Sequence, residues 1–144
     1  FKLLEQADNP SWLYSVKNGA TTIWERWNSY IAETGTFGDV SMNSFNHYSY
    51  GAIGQWFFTD ILGIRPVEFG YKSFMLAPKF GGGLTYAKGS FTSPHGKISS
   101  AWKLHDGKFT YDCTVPTNTT ATLKLPNGDI HTLVDGSYHF EINV

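Results

Sequence analysis

Basic clusters, paired cysteines and long apolar runs are all missing from this chain of 144 residues, and each absence removes a class of function. Eleven Lys and Arg against twelve Asp and Glu leave a formal net charge of -1, and the cations are scattered. A chain so balanced has no electrostatic footprint for nucleic acid or an anionic membrane, so neither is expected as a partner. The lone cysteine, Cys113, cannot form an internal disulfide and lacks the paired spacing of a zinc site. It sits in an alternating run and reads as a small core residue. No segment approaches the roughly 18 uninterrupted apolar residues of a membrane span, and no signal-like basic start is present, so the chain reads as soluble. His95, His105, His131 and His139 lack metal-ligand spacing, and Gly81-Gly82-Gly83 lacks the helix and lysine of a phosphate loop. No metal and no cofactor is expected. The opening Phe1-Lys2-Leu3-Leu4-Glu5-Gln6-Ala7 reads as the tail of a helix without a capping start, which predicts a piece of a longer polypeptide.

Aromatic residues, by contrast, make up 17% of the chain and include five tryptophans, a surplus over what a minimal core needs. The segment Gly19-Ala20-Thr21-Thr22-Ile23-Trp24-Glu25-Arg26-Trp27 holds one carboxylate between two indoles. Aromatic walls beside an acid suit carbohydrate chemistry, because a sugar offers hydroxyls to the carboxylate and C–H groups to the ring faces. Glu25 is therefore the candidate catalytic residue. The competing reading pairs Glu25 with Arg26 on a solvated surface while the tryptophans fill a core. The β-branched run Thr21-Thr22-Ile23 argues for extended chain, which would put Ile23, Glu25 and Trp27 on one face and Trp24 and Arg26 on the other. His47 reads either as a ligand for a sugar hydroxyl or as a core histidine bonded to a backbone carbonyl. Glycoside cleavage needs two carboxyl groups. Asp39, Asp60 and Glu33 are the other acids at hand, but solvation or capping accounts for them, so the second acid is expected outside this chain.

Two textures meet near Pro66. Upstream the pattern is helical and aromatic: a stub to about Ala7, a short helix from Pro10 at the first-turn position through Lys17, a stop at Asn18-Gly19, and a long helix from about Asn43 to Leu62. Gly63 and Pro66 end it. Downstream, short alternating runs such as Phe109, Tyr111, Cys113 and Val115 are separated by His95-Gly96, Asp106-Gly107, Asn127-Gly128 and Asp135-Gly136. Regular turn signals of this kind predict an antiparallel β-sandwich over 67–144. Asn118-Thr119-Thr120 matches a glycosylation sequon but reads as a strand-edge turn.

Three ordered stretches resemble the C-terminal end of bacterial α-L-rhamnosidases of glycoside hydrolase family 78. They are Pro10-Ser11-Trp12-Leu13-Tyr14, then Gly19 to Trp27, then Asn43-Ser44-Phe45-Asn46-His47-Tyr48, with Ala77-Pro78 and Ser99-Ser100-Ala101-Trp102 fitting the same family. The resemblance implies an α+β fragment, with residues 1–66 as the last helices of an (α/α)6 barrel and 67–144 as the sandwich. It implies an inverting glycosidase acting on a rhamnose-containing glycan or glycoside, with Glu25 as general base and His47 as a substrate ligand. Trp24 and Trp27 are the accompanying substrate-binding aromatics, and the general acid lies before Phe1. The fragment alone is expected to be inactive, and residues 1–66 are expected to need the rest of the barrel or a second copy for stability. The rival expectation is a noncatalytic β-sandwich that binds glycan or a partner domain. Such a module would carry its tryptophans on the sandwich, whereas Trp12, Trp24, Trp27 and Trp56 precede Pro66. A related barrel hydrolase acting on another deoxy sugar or a uronate is a third reading.

Overall fold

The computed structural model describes residues 1–144, which divide into two compact units, Phe1–Gly54 and Gln55–Val144. The first unit holds little regular structure: helices α1 (Lys2–Glu5) and α2 (Trp12–Lys17) and a hairpin of β1 (Tyr30–Ile31) and β2 (Thr36–Phe37). Helix α2 starts two residues later than expected, because Ser11 caps it. The Ser11 hydroxyl accepts from the Tyr14 N–H at 3.0 Å, so Pro10 precedes the cap. At its other end Asn18 and Gly19, with φ +81°, close the helix as foreseen. Buried Tyr14 fastens α2 to the hairpin: its hydroxyl donates to the Tyr30 carbonyl and accepts from the Ala32 N–H, each at 2.9 Å.

The long helix expected from Asn43 begins only at Ser49. A 3₁₀ turn (Ser49–Ala52) leads into α3 (Ile53–Trp56) and then a π-helical turn (Phe57–Ile61). Residues 43–48 stay irregular because their polar groups are committed elsewhere. Ser44 Oγ accepts from the Asn46 N–H at 3.1 Å, Asn43 Nδ2 donates to the Ser29 carbonyl at 3.0 Å, and the Ser44 and His47 amides bond a neighbouring segment. Ser and Asn side chains that take up local backbone groups compete with helix formation.

The second unit is a β-sandwich of two four-stranded sheets. One contains β5 (Tyr86–Ser93), β6 (Gly96–His105), β7 (Lys108–Val115) and β10 (Gly136–Asn143), all antiparallel in the order β10-β7-β6-β5. The other runs β3-β4-β8-β9, from β3 (Ile64–Pro66), β4 (Ser73–Leu76), β8 (Thr120–Lys124) and β9 (Ile130–Leu133). Two expectations change here. The sandwich is not wholly antiparallel, because β4 and β8 pair in parallel after the chain has crossed to the first sheet and back. The strand Ile64–Pro66, expected to close the upstream unit, is the edge of the second sheet.

The alternation along β7 was legible, and Phe109, Tyr111, Cys113 and Val115 are all buried. The turn at Asp106-Gly107 has both residues in the left-handed region and joins β6 to β7 in the two-residue hairpin form. Burial, reinforced by Asp112, pushes the Cys113 thiol up to about 12. Burial likewise pushes the Tyr111 hydroxyl upward. The helix end is held from inside the sandwich: Trp102 Nε1 donates to the Ile61 carbonyl at 2.9 Å and Ser100 Oγ to the Leu62 carbonyl at 2.7 Å, with Tyr111 donating in turn to Ser100 Oγ. These buried donors satisfy carbonyls that a helix terminus leaves without intrahelical partners. At Gly89 a Cβ would lie 2.4 Å from Leu62 Cδ1, so glycine lets that residue seat against the strand.

Candidate active site

The segment carrying Glu25 is not a strand. Residues 21–29 run through bends and a turn, and Ile23, Trp24 and Trp27 all line one cavity. The expected alternation of faces therefore fails, because a bent backbone does not preserve the two-residue period. What fixes the segment is its pairing with residues 44–47. The Glu25 N–H donates to the Ser44 carbonyl at 2.8 Å, and the His47 N–H to the Ile23 carbonyl at 2.8 Å. The Thr22 hydroxyl donates to the Phe45 carbonyl. The Ser44 N–H returns a bond to the Glu25 side chain, 2.7 Å from Oε2.

The fold thus brings the Glu25 and His47 segments side by side through backbone bonds. Glu25 is half-buried and its carboxylate is held by a backbone amide, not by Arg26. His47 lies ahead of the helix, half-buried, its Nδ1 accepting from the Ser49 N–H at 3.3 Å and its ring stacked on Tyr48. That arrangement leaves Nε2 as the nitrogen able to donate outward.

The tryptophans occupy different places. Trp24 is 6% exposed and meets Phe45 edge-on, so most of the indole belongs to the core. Trp27 stacks on Tyr50 with centroids 3.8 Å apart and meets Trp12 edge-on at 5.1 Å, while Trp12 Nε1 donates to the Tyr50 carbonyl at 2.9 Å. Trp12, Trp24, Trp27 and Tyr50 share a cavity of about 240 Å³ with Val16 and Ile23. Glu25 and His47 are not among its lining residues, so the aromatic cavity and the carboxylate are distinct parts of one segment.

Of the other acids at hand, Asp39 and Asp60 have structural explanations, and Glu33 is exposed. The Asp39 carboxyl accepts from the Ser41 hydroxyl at 2.6 Å and the Ser41 N–H at 2.9 Å, and these bonds hold it below the usual carboxylate range. Asp60 Oδ1 is bound by Lys79 Nζ at 2.7 Å and Arg65 at 2.8 Å, and the Lys79 bond leads in keeping its carboxyl ionised. No group of three or more His, Cys, Asp or Glu is placed to hold a metal ion. Sequence reasoning missed two participants. Ser44 acts through its backbone, which leaves no side-chain signal, and Tyr50 stood unremarked in an aromatic run.

Residues 63–140 match the bacterial alpha-L-rhamnosidase C-terminal domain, and residues 1–61 match the bacterial alpha-L-rhamnosidase 6 hairpin glycosidase domain. An alpha-L-rhamnosidase of Streptomyces avermitilis is 44% identical over 126 residues, which is 88% of this chain and 12% of that protein. One from Formosa agariphila is 44% identical over 133 residues, 92% of this chain and 14% of that protein. The crystal structure of the Streptomyces avermitilis enzyme complexed with L-rhamnose superposes with a TM-score of 0.93 at 36% identity, over 99% of this chain and 16% of that one. The enzyme from Aspergillus terreus does so with a TM-score of 0.92 at 37% identity, over 96% of this chain and 16% of that one. The chain therefore spans about an eighth of the length of the curated relatives it matches.

Proposed function

We propose, from the premise that the chain belongs to the bacterial α-L-rhamnosidases, that it forms part of a glycosidase that releases L-rhamnose from α-L-rhamnosides with inversion. Residues up to about 61 are the last helices of an (α/α)6 barrel, and the sandwich follows them. Glu25 is the general base. Its Oε2 is held by the Ser44 N–H, which leaves Oε1 to take a proton from the attacking water. The general acid comes from another part of the full-length protein, standing roughly 6.5–9.5 Å from Glu25 so that a water fits between them. His47 donates from Nε2 to a hydroxyl of the sugar. Trp24 and Trp27 line the neighbouring aromatic cavity, where they offer an apolar wall to a part of the glycoside beyond the sugar held at Glu25.

The observation that carries this reading is the two-way bond between Glu25 and Ser44 beside the bond from His47 to Ile23. Together they make one frame from the two motifs that hold the acid and the imidazole. A noncatalytic glycan-binding sandwich is the weaker reading, because the tryptophan on the sandwich's strands, Trp102, is 1% exposed. The test is hydrolysis of p-nitrophenyl α-L-rhamnopyranoside by the full-length protein. Glu25→Gln should lower kcat by about 10²- to 10⁴-fold, the usual contribution of a general base, while Asp60→Asn should stay within about two-fold since no proton-transfer role falls to it. Turnover retained in Glu25→Gln would overturn the assignment.

A further inference from the structure

Asn43 opens one of the motifs, and nothing above assigns it a role in the chemistry. Its Nδ2 donates to the Ser29 carbonyl at 3.0 Å, which also accepts from the Gly38 N–H at 3.0 Å. Ser29 is fully buried and grips the turn that follows Glu25: its Oγ accepts from the Arg26 N–H at 3.2 Å and donates to the Arg26 carbonyl at 3.0 Å. On the other side Asn43 is bonded covalently to Ser44, whose N–H holds Glu25 Oε2. The connections close a ring that runs from Glu25 through Arg26 and Ser29 to Asn43, then to Ser44 and back to the carboxylate.

We propose that Asn43 is a positioning residue for Glu25, a strut that fixes the distance between the turn carrying the carboxylate and the amide that aims it. The inference rests on Glu25 being the general base. Without the strut, Ser44 keeps the bond its carbonyl accepts from the Glu25 N–H at 2.8 Å but loses its tie to the turn that follows Glu25, so the amide that aims the carboxylate is held on one side only while the sugar-binding groups stay in place. Misplacing a reacting group by about 1 Å costs on the order of a hundred-fold in rate. A strut that matters only for folding would behave differently, and one detail separates the two. Asn43 Oδ1 is a buried acceptor with no hydrogen-bond partner. Replacing Asn43 with leucine, similar in size, removes the strut and also removes that unsatisfied acceptor, so the substitution is not expected to unfold the unit.

The experiment measures kcat and KM for p-nitrophenyl α-L-rhamnopyranoside, L-rhamnose binding by calorimetry and the melting temperature, in the full-length protein and its variants. For Asn43→Leu and Asn43→Asp the expected result is a kcat about ten- to a hundred-fold lower, with KM and rhamnose affinity within about two-fold, as for loss of an interaction made only in the transition state. Unchanged kcat in both variants would overturn the proposal. So would a rise in KM that tracks a fall in melting temperature, or loss of folded protein in both, since each makes Asn43 a stability residue only. Glu25→Gln is measured alongside. If it stays active the general-base reading fails and takes this one with it, whereas an inactive Glu25→Gln beside fully active Asn43 variants removes the strut alone.

Discussion

Ser100→Ala should be the most costly single-atom deletion in the sandwich, and its cost should be partly reversible by a second deletion. The Ser100 hydroxyl is fully buried between two groups: it donates to the Leu62 carbonyl at 2.7 Å and accepts from the Tyr111 hydroxyl at 3.1 Å. Removing it leaves both without a partner and out of reach of water. Each buried orphan costs about 1–3 kcal/mol, so the single variant should lose roughly 2–6 kcal/mol. Adding Tyr111→Phe removes one of the two orphans, and the double variant should regain about 1–2 kcal/mol relative to Ser100→Ala. Urea denaturation followed by far-UV circular dichroism at the β-sheet signal reads the sandwich's unfolding. With a slope of about 2 kcal/mol per molar, the single variant's midpoint should fall by about 1–3 M and the double variant's should lie above it. A double variant less stable than Ser100→Ala, with costs that simply add, would refute the relay from Tyr111 through Ser100 to Leu62.

Cys113, buried and with its thiol pushed up to about 12, should resist a disulfide reagent in the native chain and react only as the sandwich unfolds; fast labelling of folded protein would contradict that placement. On the exposed face of the first sheet, the bond from His139 to Asp112 at 2.7 Å, followed by Glu141, raises the histidine above its ordinary 6.5. Because the folded value is the higher one, this contribution is complete below about pH 6.5 and fades as pH rises through the folded value. Proton NMR should show Asp112→Asn bringing the His139 midpoint down. Asp60 runs the opposite way: its carboxyl is held below 3.8, chiefly by Lys79, so its contribution is present above that pH and lost as pH falls through the folded value. Asp60→Asn should cost about 1 kcal/mol or less by denaturation at pH 7, since Arg65 and Lys79 are both solvent-exposed.

The sandwich was legible because its signals are local. Asp106-Gly107 demands positive φ at both residues, and the alternation from Phe109 to Val115 maps directly onto one buried face. The parallel pairing of β4 with β8 left no such mark, since it depends on where the chain returns after forming three strands of the other sheet. In the first unit the reading was weaker for a related reason. Aromatic spacing from Phe45 to Phe57 imitates a helical stripe, yet Asn43, Ser44 and Asn46 spend their polar groups on loop contacts and delay the helix to Ser49. Glu25 and His47 stood out as residue types. The device that joins them, backbone bonds from Glu25, Ser44 and His47, has no residue signature and became visible only in three dimensions.

The most direct test of the account is early-time proton NMR of the sugar released from p-nitrophenyl α-L-rhamnopyranoside by the full-length protein, with Glu25→Gln run in parallel. Inversion with Glu25 as base predicts β-L-rhamnose as the first product, followed by slow mutarotation, and no release above background by the variant. Release of the α-anomer first, or release by Glu25→Gln at an undiminished rate, would contradict it.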